Sequence, residues 1–138
     1  MGKSSSQNGR WKICIFWFPV IVYSGIIFYV SSLARVKIPF QGASLDKFIH
    51  VFEYIPYGYL TARALLLSRA NRSTKGLIVL AGALSLMYGL SDEYHQSFVG
   101  GRSSSFLDVF ADTLGGVIGG WFFIYPNATG LRNHNNII

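Results

Sequence analysis

Three shortages in this sequence restrict what the protein can be. Charged residues make up only 13% of its 138 residues, about half the share found in an ordinary soluble domain. Cys14 is the one cysteine, so an intrachain disulfide is excluded. The H-E-x-x-H and G-x-S-x-G motifs are absent, which leaves no familiar metal or nucleophile signature. The long apolar runs that remain indicate a protein surrounded by lipid.

The net charge of +6 is better explained by membrane topology than by nucleic-acid binding. The basic residues are spread over short segments between the apolar runs, whereas a phosphate-binding surface needs a concentrated stripe of them. We therefore expect no nucleic-acid partner.

The apolar runs predict an all-α fold, a four-helix transmembrane bundle over residues 13–125. Residues 1–12 are expected to form a disordered basic N-terminal tail, and residues 126–138 a flexible C-terminal tail. The length of the first run argues against a cleaved signal peptide, although Ser32-Leu-Ala34 is a passable cleavage site. The predicted spans are 13–33, 45–68, 76–98 and 106–125.

The distribution of Lys and Arg predicts the orientation of the bundle. Eight of these residues lie on the side that holds both termini and the loop between the second and third helices, and four lie on the other side. Because cytoplasmic segments are enriched in Lys and Arg, we expect both termini to be cytoplasmic.

All acidic side chains belong to the opposite, extracytoplasmic ends of the helices. Glu53 and Asp112 are the deepest, since Glu53 lies about 10 Å below Asp46 and Asp112 about 9 Å below Phe106. An ionisable group at such depth is costly and usually faces a bundle interior or a watery cavity. The six residues are Asp46, Glu53, Asp92, Glu93, Asp108 and Asp112.

Helical spacing predicts that these side chains converge. Asp46, His50 and Glu53 share one stripe of the second helix, and Asp108 and Asp112 share a face of the fourth with Gly115 and Gly119. The run 115–120 contains two overlapping G-x-x-x-G patterns, which permit close approach of a neighbouring helix.

Structural explanations exist for several of these residues. Asp46 follows Ser44, a candidate N-cap, and could simply complement the helix dipole. Asp108 fits a capping box with Ser105. Arg102 could have no role other than to neutralise a carboxylate. Glu53 and Asp112 could lock the helices together through buried hydrogen bonds.

Two sequence blocks resemble the VanZ-like family of membrane proteins. One is Asp46-Lys47-Phe-Ile-His50-Val-Phe-Glu53-Tyr54, and the other runs from Ser91-Asp92-Glu93 through Gln96 and Arg102 to Asp112-Thr-Leu-Gly115. The family usually has Asn where this chain has Asp112, so a neutral amide role there does not carry over. The resemblance implies a multi-pass cell-envelope protein. The family's named member is associated with low-level resistance to teicoplanin, a lipoglycopeptide antibiotic.

Three functions are compatible with this pattern. The first is binding of a lipid-linked or lipoglycopeptide headgroup at the outer leaflet, with Tyr54, Tyr57 and Tyr88 contacting sugar or acyl surfaces. The binding candidates are Asp46, Lys47, Tyr54, Asp92, Glu93, Gln96, Arg102 and Asp108.

The second function is a metal-dependent intramembrane hydrolase or transferase that acts on a cell-wall lipid headgroup. The sequence leaves open whether the chain is catalytic. Its general acid/base candidates are His50, Glu53 and Asp112. A divalent cation would be held by Asp92, Glu93, Asp108 or Asp112, and the oxygen-rich set favours magnesium or manganese. The third is a proton-coupled transporter that uses Glu53 and Asp112 as relay groups, in which a homodimer would supply further partners.

Overall fold

The computed structural model describes residues 4–33, 43–68 and 73–135. These residues form four α-helices, which confirms the all-α prediction. The helices are α1 (Ser4–Ser32), α2 (Ala43–Leu67), α3 (Thr74–Gln96) and α4 (Phe106–Asn135).

Three of the helices are long and apolar enough to cross a membrane, and they mark the chain as a membrane protein. Their spanning segments are Ile13–Ser32, Thr74–Gln96 and Phe106–Asn127. Helix α2 is more polar because it carries Asp46, Lys47, Glu53 and Arg63. Its 25 residues are nevertheless about 37 Å long, more than the roughly 30 Å of a hydrocarbon layer.

The contacts between the helices show that the chain runs up, down, up and down. Helices α2 and α4 are parallel neighbours, and α1 and α3 run in the opposite direction. The contacts that establish these directions are Lys47 with Asp108 and Tyr59 with Phe123 for α2 and α4, Tyr23 with Glu53 and Trp17 with Ser68 for α1 and α2, and Gly89 with Asp112 and Ile78 with Gly120 for α3 and α4. Because α2 lies alongside α4 over much of its length, both cross the same layer. We call the end formed by the C-termini of α1 and α3 and the N-termini of α2 and α4 the polar end.

The glycines of α4 set the distance between the helices. A Cβ atom on Gly115 or Gly119 would overlap a backbone carbonyl oxygen of α2, and one on Gly116 would overlap the Ser85 side chain of α3. A Cβ on Gly120 would press on Ala81, also on α3. The two predicted G-x-x-x-G patterns therefore serve two different neighbours, as close backbone packing in membranes requires.

Helices α1 and α4 extend beyond their predicted limits. Helix α1 begins at Ser4 rather than at residue 13, and so occupies most of the segment predicted as a disordered tail. Once a helix is nucleated, each further residue adds one hydrogen bond, and a polar sequence does not prevent this extension.

Helix α4 continues through Pro126 to Asn135, so the predicted end at residue 125 is wrong. Proline removes one backbone donor, but a membrane helix tolerates this loss where side chains satisfy neighbouring backbone groups. The carbonyl that loses its helical donor is that of Phe122, and the side-chain amide of Asn127 donates to the adjacent carbonyl oxygen, that of Phe123, at 2.6 Å. At the start of α2, the predicted N-cap Ser44 lies within the first turn, because the helix begins at Ala43.

The packing of α4 against α2 predicts that Gly119→Ala lowers the stability of the bundle by about 1–3 kcal/mol, because the new methyl group overlaps the Ile55 carbonyl. Gly25→Ala is the matched control, since a Cβ at Gly25 meets nothing within 4 Å. Thermal unfolding in detergent micelles, followed by circular dichroism, measures both variants. Equal melting temperatures for the two would contradict the role given to Gly119.

Candidate functional site

All six acidic residues lie at the polar end, as the sequence predicts. Four of them are buried between the helices, namely Asp92, Glu93, Asp108 and Asp112, while Asp46 and Glu53 are half-buried. Asp112 is completely inaccessible, with 0% of its surface exposed. It therefore faces the interior of the bundle and not the acyl chains.

Two side-chain pairs join α2 to α4. His50 Nδ1 lies 2.9 Å from Asp112 Oδ1, and Lys47 Nζ lies 2.5 Å from Asp108 Oδ1. Because the two helices are parallel, Lys47 and His50, three residues apart on α2, meet two residues that are four apart on α4. Burial of His50 beside a carboxylate fixes the orientation of its ring, which a candidate acid/base group requires.

The second carboxylate oxygen of Asp112 points to α3. A Cβ atom on Gly89 would lie 2.7 Å from Asp112 Oδ2, so only glycine leaves space for the carboxylate. Among the residues that the structure describes, this oxygen has no hydrogen-bond partner. The sequence analysis missed Gly89, and the signal available was its position one turn before Asp92 on the same helix.

Tyr54 lies inside the bundle next to these acids. Its side chain has 0% exposure, and its hydroxyl group has no hydrogen-bond partner within the described part of the chain. Asp92 and Asp112 are both within electrostatic range of it. The hydroxyl group is thus a further polar group left available in the interior.

The three tyrosines expected to contact sugar or acyl surfaces pack against one another. The ring centroids of Tyr54 and Tyr57 are 5.6 Å apart, and those of Tyr57 and Tyr88 are 5.2 Å apart and stacked. The Tyr88 hydroxyl donates to the carbonyl oxygen of Ser24 on α1, at 2.6 Å. They form an aromatic layer below the acids because they belong to inward-facing stripes. Contact of these tyrosines with a sugar or acyl surface stays a prediction.

Glu53 belongs to the same group of charges. It is half-buried and lies within electrostatic range of His50, Asp92, Asp112 and Arg102. Its backbone carbonyl accepts a hydrogen bond from the Tyr23 hydroxyl, at 2.9 Å, which joins α1 to α2 at this level. The predicted convergence of Glu53 with Asp112 is therefore present in the structure.

The two acids of α3 each have one bonded and one unbonded oxygen. Asp92 Oδ2 accepts a hydrogen bond from Gln96 Nε2 at 2.8 Å, and Glu93 Oε2 accepts one from the backbone N–H of Ser105 at 2.7 Å. Asp92 Oδ1 and Glu93 Oε1 are buried and have no partner among the described residues.

The hydrogen bond to Ser105 changes the capping box predicted for α4. Ser105 Oγ accepts from the Leu107 N–H at 3.2 Å, as an N-cap does. A capping box would use Asp108 to accept the Ser105 N–H, but Glu93 of α3 takes that place and Asp108 pairs with Lys47. The capping explanation of Asp108 is therefore wrong, because a residue from another helix satisfies the cap.

Arg102 connects the loop before α4 to the end of α1. It donates to the carbonyl oxygens of Val30 (2.7 Å) and Leu33 (3.3 Å) and to Gln96 Oε1 (3.3 Å). The last carbonyl groups of a helix have no partner within the helix, and the planar guanidinium group offers several donors in a fixed arrangement. Much of the hydrogen-bonding capacity of Arg102 is therefore used to hold the loop before α4 against α1 and α3.

The geometry favours a different set of metal-ligand candidates from the predicted one. Single ligand atoms of Asp46, His50 and Asp108 lie within 4.8 Å of one another. Of the predicted ligands Asp92, Glu93, Asp108 and Asp112, this group contains only Asp108. Each of the other three predicted ligands has one carboxylate oxygen in a hydrogen bond, Asp92 with Gln96, Glu93 with the Ser105 N–H and Asp112 with His50.

The site as a whole is rich in acceptors. Within the described ranges, its buried groups without a partner include the Ser31 and Tyr54 hydroxyls, His95 Nδ1 and carboxylate oxygens of Asp92, Glu93 and Asp112. Such atoms form favourable contacts with hydroxyl, ammonium or metal groups and unfavourable ones with another anion.

Comparison with known proteins agrees with this architecture. The VanZ/LLP1 family model matches residues 4–127, which include the whole polar end and all the membrane-spanning segments. A search of curated proteins and a search of solved structures gave no match. The match covers nearly the whole chain, and the matching residues form the four helices as far as residue 127. The chain therefore belongs to the VanZ/LLP1 family of membrane proteins.

Proposed function

We propose that the polar end binds a ligand rich in hydrogen-bond donors, in the form of the headgroup of a lipid-linked sugar or of a lipoglycopeptide. The observation that carries this proposal is the group of interior atoms without partners, Asp92 Oδ1, Asp112 Oδ2 and the Tyr54 hydroxyl. A buried acceptor left without a donor costs about 1–3 kcal/mol. A ligand that donates hydrogen bonds to these atoms recovers that free energy on binding.

The cations of the site support a donor ligand over a bare phosphate. Lys47 is paired with Asp108, and Arg102 donates to backbone carbonyls of α1. A phosphate would have to compete with these partners and to enter a region with six carboxylates. Hydroxyl and amine groups of a sugar meet no such repulsion.

The family resemblance gives this ligand class a biological setting. A role linked to resistance against teicoplanin-type glycopeptides fits an extracytoplasmic site in the cell membrane, and a glycopeptide carries both sugar hydroxyls and amines. The positive-inside distribution of Lys and Arg supports placing the polar end outside the cytoplasm.

The proposal predicts opposite effects of Tyr54→Phe on stability and on binding. Loss of the unpartnered hydroxyl leaves the free protein as stable as the wild type or more stable by about 1–3 kcal/mol. The same change weakens binding of teicoplanin by about tenfold, because the ligand loses a hydrogen bond in a buried site. Thermal unfolding in detergent, with and without teicoplanin, measures both effects.

Tyr59→Phe is the control for this experiment, because Tyr59 is 42% exposed on the same helix and away from the acids. It should leave the teicoplanin-dependent rise in melting temperature unchanged. A wild-type protein that shows no rise with teicoplanin, and that carries no sugar-bearing lipid by mass spectrometry, would contradict the proposal.

A second candidate function is metal-dependent hydrolysis or transfer on the same headgroup. It is favoured by the close approach of Asp46, His50 and Asp108 and by the pairing of His50 with Asp112. A divalent cation there would polarise a phosphoryl or carbonyl group, and Lys47 would give up its contact with Asp108 to admit it.

This second function predicts that manganese raises the melting temperature of the wild-type protein and that Asp46→Asn removes at least half of that rise, because one charged ligand is lost. Asp92→Asn serves as the control, since Asp92 lies outside the three-residue group. Elemental analysis of the purified protein provides an independent measurement. Absence of bound metal together with an unchanged melting temperature in magnesium or manganese would rule out this function.

A further inference from the structure

A groove of about 320 Å³ opens between the end of α3 and the start of α4. Four of its lining residues are apolar or aromatic and four are polar. They are Leu90, Tyr94, Phe106 and Val109, together with Glu93, Ser97, Ser104 and Ser105. The groove thus combines a wall suited to a hydrocarbon chain with a cluster of hydroxyl and carboxylate groups.

The groove opens on a flank of the bundle that faces lipid. Tyr94 and Phe98 are each 71% exposed and Phe106 is 88% exposed, although they stand on or beside helices that span the membrane. Large apolar side chains exposed on such helices are in contact with lipid. Because the groove lies where α3 ends and α4 begins, it is at the level at which lipid headgroups meet acyl chains.

Glu93 connects this groove to the interior acids. It lines the groove, only 5% of its surface is exposed, and its Oε1 atom has no partner among the described residues. Asp108, His50 and Asp112 are within electrostatic range on its other side. The bond from Ser105 N–H to Oε2 holds the carboxylate in place and leaves Oε1 as the available acceptor.

We infer that this groove receives a neutral membrane lipid with a hydroxyl-bearing headgroup, which enters sideways from the bilayer. A headgroup hydroxyl donates to Glu93 Oε1, and the start of the acyl chain lies against Leu90 and Tyr94. The inference rests on the proposed function and deepens it, because it makes the ligand of the polar end a lipid-anchored molecule that need not pass through water.

The charges next to the groove select a neutral lipid over an acidic one. Glu93 stands with Asp108 and Asp112 within electrostatic range, and Lys47 is paired with Asp108. A phosphate brought to Glu93 would therefore meet like charge in a region of low dielectric constant, where such repulsion is strong. A sugar hydroxyl meets no such repulsion and donates a hydrogen bond at the same position.

The test uses the full-length protein in phosphatidylcholine nanodiscs that contain a small fraction of monoglucosyl-diacylglycerol. The protein is released from the nanodiscs, and the glycolipid that stays bound to it is counted by native mass spectrometry. We expect the wild type to retain glucosyl-diacylglycerol and not phosphatidylglycerol. Leu90→Trp, which fills the groove, should lower retention at least tenfold. Leu86→Trp is its matched control, because Leu86 is 40% exposed one turn earlier on α3 and does not line the groove.

Glu93→Gln tests the acceptor while preserving the fold. Its amide oxygen can still accept the Ser105 N–H, but the NH₂ group replaces the acceptor that faces the ligand. We expect about tenfold weaker retention of the glycolipid with a melting temperature close to that of the wild type. Unchanged retention in both Leu90→Trp and Glu93→Gln would overturn the inference, as would equal retention of phosphatidylglycerol.

These variants separate the groove from the interior site. If Tyr54→Phe loses the glycolipid while the two groove variants keep it, the lateral entry is overturned and the proposed function stands. If the groove variants lose the glycolipid while Tyr54→Phe keeps both glycolipid and teicoplanin, the groove is supported and the binding role of the interior atoms fails.

Discussion

The close packing of α4 between α2 and α3 is the constraint on which the rest of the structure depends. Glycines at 115, 116, 119 and 120 let two helix backbones approach a third. Hydrophobic burial cannot drive this approach in lipid, so it depends on close contact and on polar bonds between the helices. The pairs of His50 with Asp112 and of Lys47 with Asp108 are such bonds, and they lie immediately beside the glycines.

Much of the fold, and the set of residues that gather at the polar end, could be predicted from sequence. Apolar runs gave the number of helices, and helical spacing placed His50, Glu53 and Asp112 on converging faces, because both patterns depend on the geometry of a single helix. The pairings could not be predicted, since the relative heights of neighbouring helices decide them. Glu93 caps α4 and Asp108 bonds to Lys47 only because α3 ends and α2 begins at the level of Ser105.

The structure also changes which side chains are regarded as available to a ligand. Arg102 is an obvious anion-binding residue in the sequence, yet it completes the end of α1. The Tyr54 ring is an obvious contact surface in the sequence, yet it is enclosed by its neighbours, and its hydroxyl group is the part left without a partner within the described part of the chain. What remains available are acceptors with no donor, and a site of that kind is complementary to sugars, amines and metal ions. The choice among these ligands depends on charge balance and on the route by which the ligand arrives.

The bonds made by Arg102 have a mechanical consequence. The loop that contributes Ser104 and Ser105 to the groove also carries Arg102, whose guanidinium group holds the last turn of α1. A molecule that pushes this loop outward would pull on the end of the first helix, because Arg102 and Leu33 are 69 residues apart in sequence but joined by a hydrogen bond. Occupation of the groove and the position of α1 are thereby coupled through one side chain, so that the N-terminal helix is able to respond to what is bound between the third and the fourth.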